Sequence, residues 1–255
     1  MENLQLDDFT RYKFLSGIEH SPDGRYACFI AHQANLENND YNSHLWLYNV
    51  QTEQHFQLTG LGRERSFSWL ENSEEILFAA LRSPEDQKNV KQGEELTVFY
   101  KISVDGGEAR EAFRVPLKVQ DVKPLTCGRY LLTASFNPNK PDFASLSRDD
   151  KAKALKDMEE EQAYEVLEEI PYWSNGRGFT SRVRSRLYLY NAEEDALEAL
   201  TSETLQAGPV QLNASKTKAV FTGMDYTGKA PLENALYVAN LKQKSVRSAS
   251  AEQLL

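Results

Sequence analysis

Apolar positions along this chain fall in short runs rather than in helical stripes. The runs are rich in Tyr, Phe, Val, Leu and Trp and are bounded by Gly, Asn, Asp and Ser. That is the pattern of strands separated by tight turns. One stretch, SPDGRYACF at 21–29, joins a turn to a strand. Pro22 presets φ, Asp23 bonds its own backbone two residues on, and Gly24 accepts a left-handed conformation. Tyr26 to Ile30 then reads as a buried strand. Weaker copies follow: LENSEEILF at 70–78, LTCGRYLLT at 125–133 and NASKTKAVF at 213–221. The copies keep the strand and relax the turn, so that Gly24 is matched by a glycine only at Gly128.

A second unit follows each of these nonamers. LWLYNVQTEQHFQLT (45–59) and LYLYNAEEDALEALT (187–201) have equal length and share Leu, Leu, Tyr, Asn and a closing Leu-Thr. VFYKISVDGGEAREA (98–112) and LYVANLKQKSVRSAS (236–250) are looser versions. Each reads as strand, turn, strand, and a further short segment such as RSFSWL (65–70) or AGPVQL (207–212) precedes each nonamer. Repeats of four strands over about 40–50 residues are what propeller blades require, because a lone blade cannot bury both faces of its sheet. The predicted fold is all-β: a β-propeller segment of about four four-stranded blades, over 12–60, 64–113, 118–202 and 206–250. A generic β-sandwich is the competing architecture.

Residues 137–186 interrupt the third repeat. NPNKPDF is loop, and Ser147 with Asp150 three residues on forms an imperfect capping box. Leu155, Met158, Val166 and Ile170 fall at roughly helical spacing opposite Glu159, Glu160, Glu161 and Glu165, and Pro171 closes the run. The spacing predicts an amphipathic helix packed over an edge or face of the blades.

The net charge of −9 argues against a nucleic-acid partner, since phosphate binding needs a basic surface. No apolar run is long enough to cross a bilayer, and MENLQLDDFTRYKF lacks the basic start and apolar core of a secretory signal. Cys28 and Cys127 have no metal-like spacing. A cytoplasmic protein without a membrane partner is expected.

Catalytic signatures are missing. The chain has no G-x-S-x-G elbow, no H-E-x-x-H, no phosphate-cradling glycine loop and no Cys/His cluster. His20, His32, His44 and His55 all lie in the first 55 residues, ahead of any place a hydrolase triad would put its histidine. No catalytic residue, metal or cofactor is expected. His32 and His44 flank a loop and would meet only if it folded them together. Two constellations suit binding. Glu168 and Glu169, ahead of Pro171, Tyr172 and Trp173, would hold an amine such as a peptide N-terminus, or else form a solvated acidic helix end. Arg182, Arg184 and Arg186 alternate along a strand and share a face, ready for a carboxylate, for the acidic helix or for water.

The segments YKFLSGIEHSPDGRYACFIAH (12–32), HLWLYN with QLT (44–59), PYWSNGRGF (171–179) and SRLYLYN (185–191) together resemble the N-terminal β-propeller of the prolyl oligopeptidase family of serine peptidases. The likeness is strongest to its acylaminoacyl-peptidase-like and dipeptidyl-peptidase-like branch. The resemblance implies a seven- or eight-bladed propeller that caps a C-terminal α/β-hydrolase domain, admits small peptides and excludes folded proteins. The family's Ser-Asp-His triad belongs to that hydrolase domain and matches no residue here. In the dipeptidyl branch a glutamate pair carried by a propeller insert receives the substrate's amine, a role the resemblance would give Glu168 and Glu169. With about four blades the chain departs from the family. A fragment, a truncated product or a homodimer of two half-rings each accounts for that. The expected function is therefore architectural, docking on a hydrolase domain and gating peptides; a stand-alone interaction scaffold is the alternative.

Overall fold

A computed structural model describes residues 5, 7–141, 143, 145–161, 166–176 and 178–249. Its strands assemble in chain order. A single 3-10 turn (Asp8–Arg11) leads into β1 (Lys13–His20), β2 (Tyr26–Asn35), β3 (Asp40–Asn49) and β4 (His55–Gln57). Next come β5 (Phe67–Trp69), β6 (Glu75–Ala79), the helix α1 (Pro84–Lys91), β7 (Thr97–Ser103) and β8 (Arg110–Val115). β9 (Lys118–Pro124) and β10 (Arg129–Phe136) precede the helix α2 (Arg148–Glu161), a small hairpin of β11 (Trp173–Ser174) and β12 (Gly178–Phe179), then β13 (Arg184–Asn191) and β14 (Ala196–Ala199). β15 (Leu205–Leu212), β16 (Lys218–Asp225), β17 (Ala235–Asn240) and β18 (Ser245–Ser248) complete the order. They form four four-stranded sheets: β1 to β4, β5 to β8, β9-β10-β13-β14, and β15 to β18. The third sheet is continuous although α2 and the small hairpin lie between its second and third strands.

The relaxed corners keep one backbone geometry. The fourth position of every nonamer has positive φ: Gly24 at 74°, Ser73 at 57°, Gly128 at 63° and Lys216 at 52°. The first residue's N–H reaches across the corner in each case, from Ser21 to Tyr26 O, Leu70 to Glu75 O, Leu125 to Arg129 O and Asn213 to Lys218 O. Short polar side chains complete the turn. Asp23 Oδ1 accepts from the Arg25 N–H, Asn72 Oδ1 from Glu74 and Glu75, and Asn213 Oδ1 from Thr217 and Lys218.

The hairpins repeat as closely. Their ninth residue also has positive φ: Glu53, Gly106, Asp195 and Lys244. Asn49, Asn191 and Asn240 each accept backbone N–H bonds two or three residues on. The closing threonines explain the recurring Leu-Thr: the Leu45 N–H donates to Thr59 Oγ1 at 3.0 Å, and the Leu187 N–H to Thr201 Oγ1 at 3.1 Å. Both threonines are buried.

The chain divides into two compact units, 1–82 with 98–114 and 83–97 with 115–255. The first holds the sheets β1–β4 and β5–β8, save the end residues Thr97 and Val115, around Cys28, Leu45, Leu47, Ile76, Phe78 and Phe99. The second holds the other two sheets, both helices and the small hairpin. Its core joins Leu125, Leu131 and Leu187 of the third sheet region to Leu205, Phe221 and Ala239 of the fourth.

Two expectations for the insert need correction. Ser147 does cap α2, accepting from the Asp150 N–H at 3.3 Å and donating to its carboxylate at 2.7 Å. The helix carries Leu155 and Met158 but not Val166 or Ile170, which lie past its last residue. The Ile170 N–H donates to Gly228 O and its carbonyl accepts from the Ala230 N–H, a β-type bridge that leaves neither group for a helical bond. Pro171 therefore follows an extended segment, and its helical spacing was fortuitous. Glu165 and the side chain of Glu161 lie outside the described residues. α2 lies near the end of α1: Met158 lies beside Gly93, and Lys151 pairs with Glu94 at 3.6 Å.

Candidate functional site

β13 has the sequence RSRLYLYN and is buried at almost every position because it is an interior strand with packing on both faces. Two arginines therefore enter a core and must be paired there. Arg184 Nη2 donates to Glu169 Oε1 at 2.7 Å, with side-chain exposures of only 1% and 6%. The guanidinium also donates to the carbonyls of Thr204, Val183 and Tyr226 and lies 4.0 Å from the Tyr226 ring centroid. Arg186 donates twice to Thr201 O and stacks over Phe136 at 4.5 Å. Arg182, one residue pair earlier and exposed, meets Glu168 at 3.3 Å.

The two constellations singled out above thus meet each other. Glu169 also accepts the Arg182 N–H at 2.9 Å. Burial raises its carboxyl pKa, but the Arg184 and Arg182 hydrogen bonds and charges outweigh that and leave it below the ordinary glutamate value. Its carboxylate is committed to Arg184, while Glu168 stays largely exposed and Tyr172 is 47% exposed. The β-bridge of Ile170 to the 228–230 loop fixes this segment against the fourth sheet's connection.

What this arrangement builds is a cavity of about 660 Å³ within the second unit, in the size range of small-molecule sites. Its floor is a polar row. Lys118 on β9 is in register with Ser135 on β10, and Ser135 with Ser185 on β13. Ser185 Oγ donates to Gln120 Oε1 at 2.9 Å and its N–H donates to Gln206 Oε1 at 2.9 Å. Gln120 sits where the β9–β10 register shifts, so it faces the cavity instead of pairing. Phe179, Met224 and Tyr226 supply an apolar wall, and the β11–β12 hairpin contributes Ser174 and Gly176. Tyr172, Glu168 and Glu169 are not among its lining residues; Arg184 is.

None of the floor residues stood out in the sequence. The only local signal is the alternation Lys118-Val119-Gln120 on a strand edge, which many solvated edges share. His32 and His44 do not meet. Ala31 pairs with His44 and His32 with Ser43, so adjacent register positions send the two rings to opposite faces. His32 instead bonds Ser43 and Ser16. No cluster of three or more potential metal ligands occurs among the described residues, and no helix is long and apolar enough to cross a membrane.

No family model matches the chain. An uncharacterized peptidase, YuxL, of Bacillus subtilis strain 168 is 26% identical over 211 residues, covering 80% of this chain and 29% of that protein. The acylaminoacyl peptidase of Pyrococcus horikoshii matches 96% of the chain with a TM-score of 0.64 at 10% identity, again over a third (33%) of its own length. TolB of Acinetobacter baumannii matches 92% of the chain with a TM-score of 0.52 at 10% identity, over 43% of its length. The chain therefore spans less than half of each of these three proteins. With four antiparallel four-stranded sheets and these likenesses, the chain is a β-propeller segment similar to the propeller regions of acylaminoacyl peptidases.

Proposed function

We propose that this chain is the propeller part of a serine peptidase of the prolyl oligopeptidase type, admitting short peptides to a hydrolase domain that lies outside residues 1–255. The observation that carries the reading is the alignment with a peptidase over four-fifths of this chain but under a third of that protein. A propeller suits the task physically: packed blades make a rigid wall whose openings pass an extended chain but not a folded one. The free thiols Cys28 and Cys127 support a reducing, cytoplasmic setting. The outer strand β1, with Phe14, Leu15 and Ile18 exposed, supports completion by further blades or by a second copy.

The test is hydrolysis of acyl-aminoacyl and dipeptidyl chromogenic substrates by the purified chain and by the chain joined to a prolyl-oligopeptidase-type hydrolase domain. Turnover is expected only in the joined protein, with short peptides cleaved and a folded protein left intact. Turnover by the chain alone, or equal digestion of folded protein and peptide, overturns the reading. Light scattering on a size-exclusion column tests the second copy, and a strict monomer removes it.

A further inference from the structure

We infer that the cavity floored by Lys118, Ser135 and Gln120 binds the free C-terminal carboxylate of a short peptide. The inference rests on the peptide-gating reading and adds which end of the peptide is held.

Charge decides the ligand's sign. Three cations line the cavity, Lys118, Lys140 and Arg184, against one carboxylate, Glu95. Lys140 pairs with Glu95 at 3.3 Å and Arg184 with Glu169 at 2.7 Å. Lys118 is left with no carboxylate partner among the described residues. Hydrogen-bonding capacity points the same way. Each amide oxygen already accepts a hydrogen bond: Gln206 Oε1 from the Ser185 N–H, Asn137 Oδ1 from the Asn139 N–H and Gln120 Oε1 from the Ser185 hydroxyl. Backbone donors fix the orientation of the first two amides. Gln120 Nε2, Asn137 Nδ2, the Ser135 hydroxyl and Lys118 Nζ remain as donors without acceptors among the described residues. A site rich in unfilled donors, with one uncompensated positive charge, takes an acceptor-only anion, and a carboxylate is the anion a peptide carries at its end. Phe179, Met224 and Tyr226 give the last side chain an apolar wall beside that charge.

The experiment titrates the full chain with a tripeptide free acid ending in Phe, its C-terminal amide, its N-acetylated free acid, and acetate. Calorimetry reads affinity, and the fluorescence of Trp173, on the hairpin that edges the cavity, reads occupancy. The free acid and its N-acetylated form should bind alike, the amide roughly tenfold more weakly, as expected for loss of one charge-assisted contact. Acetate should compete only weakly, which separates a peptide from a free carboxylic acid. Lys118→Gln should lower the free acid to the level of the amide and Lys118→Arg should retain it, while Lys123→Gln, a lysine that does not line the cavity, should change nothing. Equal binding of acid and amide, loss on N-acetylation, an unaltered Lys118→Gln variant, or no binding at all each overturns the assignment. If the size restriction of the joined protein holds while any of these occurs, only the carboxylate assignment falls and the gating reading stands.

Discussion

Arg184 and Glu169 lie 2.7 Å apart, fifteen residues apart in the chain and almost sealed from water, so the segment that follows α2 is tied by a buried ion pair to the start of β13, an interior strand of the third sheet. Removing one partner of a buried pair strands the other's charge, which costs more than the pair itself contributes. Arg184→Ala should therefore destabilise the protein by about 3 kcal/mol, seen in circular dichroism as a fall of roughly 6–12 °C in Tm. The double variant Arg184→Met/Glu169→Leu should lose clearly less than Arg184→Ala. A single variant that melts with the parent would show that the pair contributes nothing.

The same pair makes stability depend on pH in a definite direction. The folded-state pKa of Glu169 lies below its unfolded value, so its contribution is complete above the ordinary glutamate range near 4.3 and is lost as pH falls through the depressed folded value. The urea midpoint should drop between pH 6 and pH 3, and Glu169→Gln should reduce that drop. Identical pH profiles for the two proteins would sink this assignment.

Left-handed positions predict opposite signs at two sites. Glu53 holds φ 57° with a side chain that gains nothing from it, so Glu53→Gly should stabilise by about 0.5–1 kcal/mol. At Gly24, φ is 74° and an added Cβ meets no atom, so Gly24→Ala should cost about 1 kcal/mol from backbone strain alone. Denaturant midpoints measure both.

Thr201→Val keeps the shape of a buried residue while removing the acceptor of the Leu187 N–H. An unpaired buried donor costs about 1–3 kcal/mol. The equivalent Thr59→Val should cost a similar amount through Leu45. If neither change moves the unfolding midpoint, these threonines are not what closes the hairpins.

The two thiols should separate cleanly. Burial pushes the Cys28 thiol far up, whereas Cys127 is exposed. With a disulfide-exchange reagent at pH 8, one thiol should react promptly and the second only in denaturant. Two fast thiols would contradict the burial of Cys28.

Local chemistry carried much of this fold in the sequence. Alternation and turn residues marked the strands because each depends on neighbours a few positions away. The repeat was legible because every blade turns its hairpin through a left-handed residue at the same offset, three of them with an Asn and two with a closing Thr at matching positions. Even so, Ser73 and Lys216 hide their left-handed corners, since only the hydrogen bonds around them force a non-glycine residue there. The insert misled for the converse reason: Val166 and Ile170 match a helical period, but the partner that claims the Ile170 backbone, at 228–230, is distant in sequence.

Residue types by themselves determined an acidic, strand-built chain of repeated blades with no catalytic motif of its own. Tertiary structure decided which charges remain free. Glu168, Glu169, Arg182 and Arg184 all looked equally available in the sequence, and folding set them in two pairs, Glu169 with Arg184 buried and Glu168 with Arg182 exposed. Lys118, unremarkable on its strand, was left facing a cavity without a counter-charge among the described residues. Whether a charged side chain can meet a ligand depends on its distance from every other charge, and that distance is set by contacts between segments far apart along the chain.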